Sequence, residues 1–134
     1  YKRQAYAFQS LLEAGTMLSF GSDWPGTNAA WYPISPLLGI YAATTRQTLE
    51  GTPQGGWYPE ERIGVEEALR AYTVNNAYAG FEESDKGTLE PGKLADLTVI
   101  DRDLLAIPAT EIGDARVLYT IVDGEIVYAA GEDG

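Results

Sequence analysis

The chain has 134 residues, 45% of them hydrophobic, with a net charge of −11, nine Lys and Arg in total, and neither cysteine nor histidine. That length suits a single domain with a core, and the acidic balance argues against a nucleic-acid partner. Without cysteine or histidine the chain alone can make no disulfide, thiolate nucleophile, imidazole base or His- or Cys-ligated metal site.

Residues 3–14 combine good helix formers with Ala5, Phe8, Leu11 and Leu12 at helical spacing, and Gly15 is a natural stop. Residues 16–21 then read as a short buried strand from Thr16, Met17, Leu18 and Phe20. Gly21 permits a close backbone approach, and Pro25 ends any ladder because it has no N–H. Asp23 is thereby presented at the strand's C-terminal end, where parallel α/β architectures place their chemistry. It is a candidate metal ligand or general base. The alternative is an Asx-turn, in which its carboxylate accepts a backbone N–H two residues on.

After the loop 24–34, Ser35-Pro36 predicts an N-cap and a proline at N1 of a helix reaching about Leu49. Leu37, Ile40, Tyr41 and Thr44 form its buried face. Pro53, Gly55, Gly56 and Pro59 mark residues 51–64 as a loop. Helical pattern returns over 65–79, as Val65–Tyr72 followed by a shorter Val74–Ala79 that Thr73 can cap and Gly80 ends. Glu66 and Arg70 stand at a favourable i,i+4 spacing. From Leu94 the pattern turns to strands: Leu94–Asp101, Val117–Val122 and Glu125–Tyr128. Asp123-Gly124 joins the last two as a type I′ hairpin turn.

The pattern is α/β, and strand 16–21 has no partner of parallel type within the chain. The first part therefore reads as a slice of a larger barrel or sheet. The chain also begins at Tyr1 rather than at a methionine, so more polypeptide is expected upstream. Helix 3–14 and strand 16–21, taken alone, leave apolar surface open and favour self-association into a homo-oligomer. No apolar run approaches the roughly 18 residues of a membrane span, and the lack of cysteine fits a reducing, cytoplasmic setting.

Other residues invite chemical readings that their spacing does not support. Adjacent carboxylates at Glu66-Glu67 and Glu82-Glu83 point about 100° apart on a helix and read as solvated charge. Arg46 and Arg70 read as helix-surface pairs rather than substrate anchors, and Ser22 has no base to activate it. Gly87 and Gly92 read as turn glycines, and Asp96 as a strand-start residue that bonds locally. Trp24, Asn28, Trp31 and Tyr32 follow Asp23 and either line a substrate pocket or simply close the barrel mouth.

Four segments together resemble the C-terminal part of the amidohydrolase superfamily, in its amidohydrolase-3 or YtcJ-like branch. They are Phe20-Gly21-Ser22-Asp23-Trp24-Pro25, the run from Val65 to Thr73, the run from Lys86 to Leu97, and the run from Thr120 to Tyr128. The resemblance implies a (β/α)8 barrel with a smaller β-sandwich built from both chain ends. Residues 1–83 would then be the end of the barrel and 84–134 strands of the sandwich. It also implies a metal-dependent hydrolase that cleaves non-peptide C–N bonds of small amides or formamides with a metal-activated water. By the resemblance Asp23 is the last-strand aspartate, a ligand of a divalent metal (zinc in the first instance) and a proton shuttle. The histidine ligands of that family are absent, so the chain alone is expected to be inactive and to hold no metal stably. A non-catalytic acidic α/β binding or structural module is the alternative.

Overall fold

The computed structural model describes residues 5–24 and 34–131. Its regular elements are α1 (Phe8–Glu13), α2 (Pro36–Thr45), α3 (Val65–Tyr72), α4 (Val74–Ala79), β1 (Leu97–Ile100), β2 (Val117–Val122) and β3 (Glu125–Ala129). Single 3₁₀ segments occupy Pro59–Glu61 and Ala109–Asp114. No helix among the described residues is long and apolar enough to cross a membrane.

Helix α1 is shorter than its periodicity predicts. Phe8 N–H bonds back to Tyr6 O at 2.9 Å with Ala7 at φ −76, ψ 60, an inverse γ-turn that breaks the helical path. Its far end follows the expectation. Gly15 sits at φ +80, its N–H reaching Leu12 O and that of Thr16 reaching Leu11 O, the two bonds of a Schellman cap. The buried carboxylate of Glu61 accepts the Ser10 N–H (2.9 Å) and hydroxyl (2.5 Å), satisfying an orphan donor in the first turn of α1.

Helix α2 buries Leu37, Ile40, Tyr41 and Thr44 as their spacing predicts, and also Ala43 and Thr45. It stops at Thr45 rather than near Leu49, because Arg46 adopts a left-handed φ of 60 and its N–H closes on Ala42 O. Ser35 precedes Pro36 as expected, but its side chain makes no capping bond. Helices α3 and α4 have the predicted bounds. The Thr73 hydroxyl does not cap α4; it bonds back to Leu69 O at 2.8 Å. Glu66 and Arg70 form no ion pair among the described residues. Gly80 is the C-cap of α4, as predicted, but it stays right-handed (φ −87) and the left-handed position falls on the next residue. Phe81 takes the left-handed position (φ 59), with its N–H on Tyr78 O and that of Glu82 on Ala77 O. Nothing in the structure explains a phenylalanine there.

The antiparallel sheet has the order β1-β2-β3, pairing Leu97 with Ile121 and Tyr119 with Ala129. Asp123 (φ 50) and Gly124 (φ 82) make the predicted two-residue turn. Asp96 does more than bond locally. Its carboxylate accepts the Asp123 N–H at 2.9 Å, and Gly124 N–H reaches Ala95 O, tying the entry of β1 to the hairpin.

The core draws on both ends of the chain: Leu18, Leu37, Ile40, Tyr41, Ala68 and Ala71 pack with Leu104, Ile112 and Ala115. Ile112 is fully buried against the α2 side, a burial that contributes about 2 kcal/mol. The sheet itself stays open. Tyr119 and Val122, three positions apart on β2, point to opposite faces and are 42% and 50% exposed.

The predicted strand 16–21 is the main departure. These residues join no ladder among the described residues; the Leu18 and Phe20 backbone groups bond instead to Ala71, Asn75 and Asn76.

Candidate active site

The segment leading to Asp23 is held from one side. Leu18 is buried, and Phe20 packs its ring 5.0 Å from Phe8 and 5.6 Å from Tyr72. The Phe20 N–H donates to Ala71 O at 3.0 Å, so the chain before Gly21 is seated on α3. Beyond Gly21 it rises into solvent, and Ser22, Asp23 and Trp24 are exposed.

Asp23 has a left-handed φ of 52. Aspartate tolerates that region better than most residues, though it still stores some strain. The Asx-turn is not formed. The residue two positions on is Pro25, which has no N–H to offer, and the turn is made instead by Ser22, whose hydroxyl accepts the Trp24 N–H at 3.3 Å. The Asp23 carboxylate makes no hydrogen bond or ion pair among the described residues. It is an exposed acceptor whose lone pairs no described residue uses.

Trp24 is 48% exposed and flanks a small cleft of about 200 Å³ together with Ser22, Gly39 and Tyr72. Asn28, Trp31 and Tyr32 lie outside the described residues. The donors present do not make a divalent-metal site. No group of three or more His, Cys, Asp or Glu that could hold an ion occurs among the described residues, and Asp23 stands alone.

Arg46 overturns its sequence reading as a surface cation. It is 8% exposed, donating from Nε to Trp57 O (3.0 Å) and from Nη1 to Tyr6 O (2.7 Å). The guanidinium also lies 5.0 Å from the Trp57 ring centroid and 5.7 Å from that of Phe8. Nη2 is buried without a hydrogen-bond partner among the described residues. Burial lowers the Arg46 pKa from its ordinary value, opposed by the charges of Glu61 and then Glu60. Arg46 borders a largely apolar cleft of about 670 Å³ lined by Phe8, Phe20 and Tyr72. Its two bonded donors are spent on backbone carbonyls, so it organises the scaffold under the Asp23 segment. No one-dimensional signal marks it, because its partners are 11 and 40 residues away. Arg70 remains exposed, as expected.

The chain is similar to known proteins along almost its whole length. It is 38% identical over 124 residues to an N-substituted formamide deformylase of Arthrobacter pascens, covering 92% of this chain and 21% of that protein. It is 30% identical over 126 residues to the YtcJ protein of Bacillus subtilis, covering 94% of this chain and 23% of that one. An amidohydrolase structure from Thermotoga maritima superposes with a TM-score of 0.65 at 21% identity, over 92% of this chain and 26% of that one. The chain thus spans about a fifth to a quarter of the length of these proteins. The Amidohydrolase family model matches residues 2–128, and the chain belongs to that family.

Proposed function

We propose that this chain is the C-terminal portion of a metal-dependent amidohydrolase and contributes Asp23 to its active site. In this reading residues 1–83 end a (β/α)8 barrel, and residues 84–134 are strands of a composite β-sandwich. The open segment 16–21 and a sheet whose two faces both expose apolar side chains support the reading, since each lacks a neighbour. The observation that carries it is Asp23 itself: exposed, left-handed and, among the described residues, unengaged at the end of the Leu18–Gly21 segment.

The reaction is hydrolysis of a small amide or formamide. Water attacks the carbonyl carbon, the C–N bond breaks, and the water's proton ends on the leaving nitrogen. Asp23 orients the water, takes its proton and delivers it to that nitrogen. A divalent metal, zinc in this reading, supplies carbonyl polarisation and acidification of water when bound. The substrate class is suggested by the Arthrobacter relative, which is named for deformylation of N-substituted formamides.

The test uses the complete polypeptide that carries this chain, assayed on N-substituted formamides and simple amides. Turnover is expected to disappear after dialysis against a chelator and to return on addition of zinc. Turnover that survives removal of all detectable metal contradicts the proposal.

A further inference from the structure

The Asp23 carboxylate has no partner of its own among the described residues, so its placement depends on the backbone that leads to it. That backbone is gripped by side chains of α4. Asn75 Nδ2 donates to Leu18 O at 2.8 Å, and Asn76 Nδ2 donates to Phe20 O at 3.0 Å. With Phe20 N–H on Ala71 O, three groups of residues 18 and 20 are satisfied from the same side. In an extended segment, alternate residues present their N–H and C=O to one edge. The α3–α4 pair therefore bonds residues 18–20 as a neighbouring strand would, using two amide side chains and one carbonyl.

The Asn76 amide is itself oriented. The Ser19 hydroxyl donates to Asn76 Oδ1, which turns Nδ2 towards Phe20 O, with Tyr72 O a second and longer acceptor at 3.4 Å. Both asparagines lie in the first turn of α4, just after the helical path breaks at Thr73 (φ −122, ψ −95), and both are half-buried. Gly21 is the pivot between this grip and the active carboxylate.

We infer that Asn76, supported by Asn75 and Ser19, is a positioning residue for Asp23: it latches residues 18–20 and thereby fixes where the carboxylate stands. This rests on the reading of Asp23 given above. Loss of the latch lets the carboxylate drift, so the loss falls mainly on kcat rather than on KM.

The experiment compares kcat, KM and the urea midpoint of Asn76→Ala, Ser19→Ala and Asp23→Asn in the complete polypeptide. Asn76→Ala is expected to lower kcat about 10- to 100-fold with KM held, the scale of a misplaced catalytic group. Ser19→Ala, which removes only the orienting hydroxyl, is expected to lower kcat about 3-fold. A folded Asn76→Ala with wild-type kcat overturns the latch, as does an equal loss expressed in KM. If Asn76→Ala does not fold, Ser19→Ala decides, and wild-type kcat there overturns it. Asp23→Asn separates the two readings: an inactive Asp23→Asn beside an unaffected Asn76→Ala rejects the latch alone, whereas an active Asp23→Asn rejects both.

Discussion

Asp23→Asn in the complete polypeptide lowers kcat about 1,000-fold, within the range for loss of a positioned proton-transfer group. Asparagine keeps the size of the side chain and its tolerance of φ 52, so the backbone is not asked to move. Alanine would be the poorer choice, because it adds strain at a positive φ. The replaced carboxylate is exposed and bonds to nothing among the described residues, so the stability of the metal-free polypeptide, where the urea midpoint is read, shifts by less than about 0.5 kcal/mol. A large loss of turnover with an unchanged urea midpoint is the expected pair of results. Wild-type turnover, or a loss explained by unfolding, contradicts the role.

Arg46→Ala destabilises the fold by about 3 kcal/mol, read from urea unfolding. Two charge-assisted bonds disappear, and the Tyr6 and Trp57 carbonyls lose their donors in a part-buried setting. Contact of the guanidinium with the Trp57 and Phe8 rings goes as well, and a cavity replaces the side chain. Arg46→Lys recovers only part of this, about 1 kcal/mol, because one ammonium cannot reproduce the planar fork that reaches both carbonyls. The consequence reaches the site through packing. Phe8 lies against Phe20, so loosening Tyr6 and α1 slackens the seat of the segment that carries Asp23. An Arg46→Ala protein with a wild-type midpoint rules out this account of the residue.

Elements governed by local signals were legible in the sequence. The bounds of α3, α4 and β2 follow from short-range periodicity, and the Asp123-Gly124 turn from its need for two positive φ values. Elements governed by distant partners were not. Helix α2 ends early because Arg46 is captured in a left-handed conformation by carbonyls on two other segments. The cap on α1 comes from Glu61, 51 residues away. Residues 16–21 have strand composition but no partner strand among the described residues, and composition cannot supply one.

The site divides in the same way. The position of Asp23 at the end of an apolar run was readable, and its significance came from the resemblance across four segments. Pro25 already excluded the Asx-turn, since the N–H it needs does not exist. The grip of Asn75 and Asn76 had no signature, because asparagines early in a short helix are indistinguishable in sequence from ordinary surface residues.

The most direct measurement is a crystal structure of the complete polypeptide grown with zinc, with data collected at the zinc absorption edge. The account predicts an anomalous peak with an Asp23 carboxylate oxygen about 2.1 Å away. A fully ligated ion with Asp23 out of contact, or an Asp23 remote from any metal, contradicts it.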